Sequence, residues 1–144
     1  MKLSFFSLAS GSSGNCYYLG TPDFGILIDA GISFRTIKKV LKDNNIDISK
    51  IAAVLVTHDH ADHIKTVGYL GEKMYLPIYS TADVHRGIDN SRYVEETLNG
   101  SRRIIQKEVP FMIRDFSIVA FEVPHDSTDN VGYHICYKEH KFTF

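Results

Sequence analysis

The chain has 144 residues, 44% of them hydrophobic and 23% charged, with a formal net charge of -1 at pH 7. That balance excludes a disordered chain and a disulfide-stapled miniprotein, and a single domain of this length can bury a core without a structural metal. It also supplies no overall basic attraction for a polyanion, so any anion recognition has to be local. The two cysteines, Cys16 and Cys136, are far apart and form no metal-like pair, which fits a reducing cytoplasm. No segment approaches the length of a membrane span.

In chain order, "KLSFFSL", "NCYYLG" and "GILIDAG" read as three short strands separated by Gly- and Pro-containing turns, pairing as an antiparallel meander. The opening "MKLSFFSLASGSSG" imitates a signal peptide. Its apolar run is short and broken by Ser4 and Ser7, so it reads as the first strand. Ser33 is placed to N-cap a helix over "FRTIKKVLKDN", in which Ile37, Val40 and Leu41 form the apolar stripe. "IAAVLVT" then reads as a buried strand. Asp62 is predicted to cap a helix through "HIKTVGYLGEKM", "LPIYST" to be a strand, and Thr81 to cap a short helix that includes His85. "RRIIQK", "FSIVAFEV", "GYHICYK" and "KFTF" are all strand-like. Helices between early strands and a run of late strands predict an α/β fold of sheets plus helices.

The buried strand runs directly into "THDHADH", with three histidines and two aspartates between His58 and His63. Beyond a strand end, residues two apart can project to the same side, so His58 and His60 can share one ion. Asp62 and His63 fall in the first turn of the next helix, pointing back toward the strand mouth, where they can hold a second. Imidazoles with a carboxylate suit zinc, with manganese or iron tolerated, and two metals about 3.5 to 4 Å apart clamp the attacking and leaving oxygens of a hydrolysis. Asp59 should point away from His58 and His60 and carries no ligand role. The Gly/Ser loop "SGSSGN", residues 10 to 15, reads either as a flexible turn or as an anion nest of backbone N–H groups and hydroxyls.

With His58, His60, Asp62 and His63 as HxHxDH, Asp29 in "LIDAG" upstream and "FEVPHDSTDNVGYHI" downstream, the chain resembles the metallo-β-lactamase superfamily. "SLASGSSGNCYYL" is similar to its YycJ-type branch of DNA-exonuclease-like, metal-dependent hydrolases. The resemblance implies an αββα sandwich, a nucleic-acid substrate and two divalent metal ions, zinc first. His58, His60 and His125 would hold one metal. Asp62 and His63 would hold the other, with Asp62 also catalytic, and Asp29 would support the ligands from its strand end. Ser12, Ser13 and Asn15 of the Gly/Ser loop, and Ser127 beside His125, would contact substrate. His85, His134 and His140 fall outside the pattern.

Members of the superfamily add a metal-bridging aspartate and a further histidine beyond the strand that "KFTF" resembles. The sequence is therefore expected to be a single truncated domain over residues 1 to 144: the first half of the sandwich plus the start of the second. Partial metal occupancy, little turnover by this chain itself, and a homodimer or strand exchange through exposed sheet surface are expected with it. The function expected of the family is phosphodiester cleavage in DNA or RNA through a metal-bound hydroxide. A thioester or lactam hydrolase of the same fold, or a non-catalytic binding or assembly domain, is the alternative.

Overall fold

The computed structural model describes residues 2–124 and 130–144. Strands β1 (Ser4–Ala9), β2 (Cys16–Gly20) and β3 (Gly25–Ile28) pair antiparallel in sequence order, as the alternation and turn residues predict. After β3 the connections become crossovers. Helix α1 (Phe34–Asp43) leads to β4 (Ile51–Leu55), α2 (Ala61–Ile64) and α3 (Val67–Glu72) lead to β5 (Ile78–Ser80), and α4 (Ala82–Asn90) leads to β6 (Arg102–Ile104). Strands β3 to β6 lie side by side and parallel, completing a six-stranded sheet in the order β1-β2-β3-β4-β5-β6. Successive crossovers of one hand put their helices on one face of that sheet.

Two cores follow from the period-two alternation of the central strands. Leu27, Val54 and Val56 point to the helices and pack with Ile37 and Leu41 of α1, Val67 and Leu70 of α3, and Val84 and Ile88 of α4. Ile26, Ile28, Ala53 and Leu55 point the other way, onto Phe116, Ile118, Tyr133 and Ile135 of a second sheet. That sheet is antiparallel, in the order β10-β9-β8-β7, from β7 (Phe111–Ile113), β8 (Phe116–Glu122), β9 (Val131–Tyr137) and β10 (His140–Thr143). Each fully buried Ile or Leu contributes about 1.5 to 3 kcal/mol, so two apolar faces on β3 and β4 fix those strands firmly. Among the described residues no helix covers the outer face of the four-stranded sheet, and three of the four expected αββα layers are present.

Ser33 caps α1, its hydroxyl accepting from the Thr36 N–H, and Thr81 caps α4 by accepting from Val84. Two expectations need correction. β7 has no counterpart in the strands read from the sequence. The single helix capped by Asp62 is two short helices, with His60 at the N-cap position of α2 and Asp62 inside its first turn. The break has a physical cause. In a continuous helix the Thr66 N–H would bond to the Asp62 carbonyl; here that carbonyl accepts from the Asn15 N–H at 2.8 Å, while the Thr66 N–H goes to the Ala30 carbonyl at 2.9 Å.

Candidate metal centre

The site lies beyond the carboxyl ends of parallel strands β3 and β4, where open α/β sheets generally place their ligands. β3 is followed directly by Asp29, which adopts a left-handed backbone (φ 65°) that an aspartate tolerates. Its N–H donates to the Leu55 carbonyl at the end of β4, and the next residue, Ala30, donates to the His63 carbonyl. β4 passes through Val56 and Thr57 into His58. Strand end, turn and α2 are thereby tied together before any metal is considered.

The buried Asp29 carboxylate organises the histidines. Its Oδ1 accepts from the Thr57 N–H at 2.7 Å, and its Oδ2 accepts from the Thr57 hydroxyl at 2.7 Å and from His63 Nδ1–H at 2.6 Å. With Nδ1 protonated, His63 presents its Nε2 lone pair on the other side. Because the Thr57 hydroxyl donates to Asp29, its oxygen is left to accept from His58 Nδ1, 3.3 Å away, and His58 also presents Nε2. Both rings are set in the tautomer a cation needs.

His58, Asp62 and His63 each place a ligand atom within 4.8 Å of the others. The His58 and His63 ring centroids are 3.7 Å apart, and Asp62 Oδ2 is 3.6 Å from His63 Nε2. Burial, reinforced by His63 alongside, pushes the His58 imidazole down to about 4, so it is neutral and ligand-competent near pH 7. His60 lies at the exposed rim on the same side, its ring centroid 4.6 Å from that of His58, and does not enter the close triad. Asp59 turns away toward α4: a Cβ on Gly87 would fall 1.7 Å from its carboxylate.

Asn15 is drawn into the centre from the Gly/Ser loop, whereas Ser12 and Ser13 stand exposed at the loop's tip. Its Nδ2 lies 3.2 Å from both Asp62 Oδ2 and His63 Nε2. His125 and Ser127 lie outside the described residues. Val123 and Asn130, which flank that segment, line the same cavity of about 440 Å³ as Asn15, Asp29, Thr57, His58 and His63. A cavity of equal size at the opposite, Gly20 end of β2 is lined by no histidine among the described residues. Sequence reading had no role for Thr57, because a threonine between a strand and a histidine carries no pattern of its own. Its part depends on where Asp29 arrives from a different strand.

An imidazole pair with a carboxylate, held in metal-ready tautomers by a buried carboxylate, fits a borderline divalent cation. The family described as Beta-lactamase superfamily domain matches residues 25–144. The chain is 35% identical over 120 residues to Exodeoxyribonuclease WalJ of Streptococcus pneumoniae, covering 83% of this chain and 45% of that protein. It is 32% identical over 133 residues to Exodeoxyribonuclease YycJ of Bacillus anthracis, covering 92% of this chain and 50% of that one. The chain thus spans about half the length of the curated relatives it matches. A metallo-β-lactamase structure from Cronobacter sakazakii superposes with a TM-score of 0.77 at 14% identity, over 99% of this chain and 60% of its own.

Proposed function

Since the chain belongs to the metallo-β-lactamase superfamily, we propose that it carries the metal-ligating turn of a divalent-metal-dependent phosphodiesterase acting on nucleic acid, with DNA first. The observation that supports this most is the His58, Asp62 and His63 convergence, braced by Asp29, in a chain similar to two exodeoxyribonucleases. In this reading His58, His60 and His125 hold one cation and Asp62 and His63 the other, zinc first with manganese or iron as alternatives. The chemistry a bound divalent cation supplies is charge stabilisation at phosphoryl oxygens and a water that ionises near neutral pH.

The chain's own residues do the rest. Asp29 and Thr57 hold the imidazoles in one tautomer, and the Asp62 carboxylate would accept a proton from an incoming water. The exposed Ser12 and Ser13 hydroxyls, and Ser127, are assigned to substrate phosphates. Asp62 and His63 are only two ligands for the second cation, so that cation is expected to be held weakly and turnover to be slow rather than absent. The two unpaired cysteines suit a reducing, cytoplasmic setting, and no described helix is long and apolar enough to cross a membrane.

The test is cleavage of end-labelled DNA and RNA by the metal-loaded protein, with His60→Ala alongside. Stepwise release of nucleotides that His60→Ala abolishes without unfolding the chain is the expected result. Thioester hydrolysis with no cleavage of either nucleic acid would favour another hydrolase of this fold, and metal binding with no turnover of any ester would favour a binding domain.

A further inference from the structure

Asn15 is 9% exposed, and both of its amide groups are engaged. Its backbone N–H donates to the Asp62 carbonyl at 2.8 Å, and its backbone carbonyl accepts from Gly31 at 2.9 Å. The side-chain Oδ1 accepts from the Gly11 N–H at 3.1 Å. The side-chain Nδ2 faces the Gly11 carbonyl at 2.9 Å and, at 3.2 Å each, the Asp62 carbonyl, Asp62 Oδ2 and His63 Nε2. These neighbours fix which end of the amide is nitrogen, since an oxygen there would confront three other oxygens.

We propose that Asn15 is a positioning residue of the metal centre, its amino group bridging Asp62 Oδ2 and His63 Nε2 where a cation held by those two ligands would sit. The role rests on the metal centre proposed above. Two amide hydrogens serve four acceptors, so no single contact is saturated and the one to His63 Nε2 is readily given up. His63 would turn its Nε2 lone pair to a cation held there, while Asn15 would keep its contacts to the Gly11 and Asp62 carbonyls. The amide thus holds the Asp62 carboxylate and the His63 ring in register without metal, as outer ligand partners do. Asparagine is suited to this where aspartate is not: a carboxylate 3.2 Å from Asp62 would repel it until a cation arrives. The assignment differs from a substrate contact, for which the side chain would have to face outward.

The test uses zinc ions alone, with calorimetric titration and thermal melts of the native chain, Asn15→Ala and Asn15→Asp. Asn15→Ala is expected to weaken zinc binding by about 10- to 100-fold. Asn15→Asp is expected to lower the melting temperature of the metal-free chain yet bind zinc at least as tightly as the native chain, with a larger zinc-induced rise in melting temperature. A purely structural residue would instead lower both melts equally in Asn15→Asp, and a substrate contact would leave zinc affinity unchanged in both variants; either result overturns the proposal. Should the variants fail to fold, the native chain suffices: the Asn15 side-chain amide resonance is expected to shift as zinc is added, and a stationary resonance during zinc uptake overturns the role. No zinc uptake by the native chain would overturn the metal centre as well, whereas uptake indifferent to residue 15 overturns this role alone.

Discussion

Replacing Gly31 with alanine adds one methyl group against the backbone of the ligand-bearing helix. The new Cβ would lie 1.7 Å from the Asp62 carbonyl oxygen, 2.2 Å from its carbon and 2.8 Å from the His63 nitrogen. Gly31 has no left-handed φ, so the backbone itself accepts alanine and the penalty is purely steric. The obstructing atoms are main chain and cannot rotate away, and α2 would have to retreat by more than about 1 Å. Overpacking usually costs about 1 to 3 kcal/mol, and the absence of any flexible side chain puts this case near the upper value. The same retreat moves both Asp62 and His63, so zinc affinity should fall by about 10-fold or more, comparable to loss of an outer partner. Urea unfolding and zinc titration of Gly31→Ala, beside Gly100→Ala, measure both effects; Gly100 has nothing within 4 Å of its Cβ position. If Gly31→Ala stays within about 0.5 kcal/mol of native, the range of an ordinary surface change, and binds zinc normally, the placement of the Gly31 turn against α2 is wrong.

Asp29→Asn keeps a residue that tolerates the left-handed backbone but replaces an acceptor of three hydrogen bonds; zinc affinity should drop about 10- to 100-fold, and an unchanged titration would remove Asp29 from the centre. The metal-free chain should lose stability on acidification. Unfolded imidazoles protonate below about 6.5, whereas His58 resists until about 4 and burial lowers His85 as well. Stability contributed by these neutral histidines is therefore full above 6.5 and lost as the pH falls toward 4. Urea midpoints of native and His58→Gln chains across that window should converge at low pH, and parallel curves would contradict the His58 assignment. Tyr133→Phe removes a hydroxyl that donates to the Val56 carbonyl at 2.7 Å. Because Ser80 also donates to that carbonyl, the loss should be about 1 kcal/mol, read by thermal or urea melts; a loss several times larger would mean that the inter-sheet tie is not shared.

The sequence alone determined what is local. Alternating apolar residues and Gly-rich turns set the β1 to β3 meander, Ser33 and Thr81 set where two helices begin, and the spacing of His58, His60, Asp62 and His63 marked out a candidate metal site. These signals are legible because each depends on a residue's own backbone geometry and its neighbours within a turn. Tertiary structure decided what those residues do together. Strand β7 is three residues long and owes its existence to pairing with β8, a partner no local pattern reveals. Thr57 became part of the site only because Asp29, 28 positions away, arrives at hydrogen-bonding distance. The helix predicted after His63 was broken at Thr66 by the same kind of distant competition. Asn15 captured the carbonyl that helix continuation required, and Ala30 offered the freed N–H a replacement. Helix periodicity records the preference of a segment for its own hydrogen bonds; it cannot register a partner 47 residues upstream that binds one of them first.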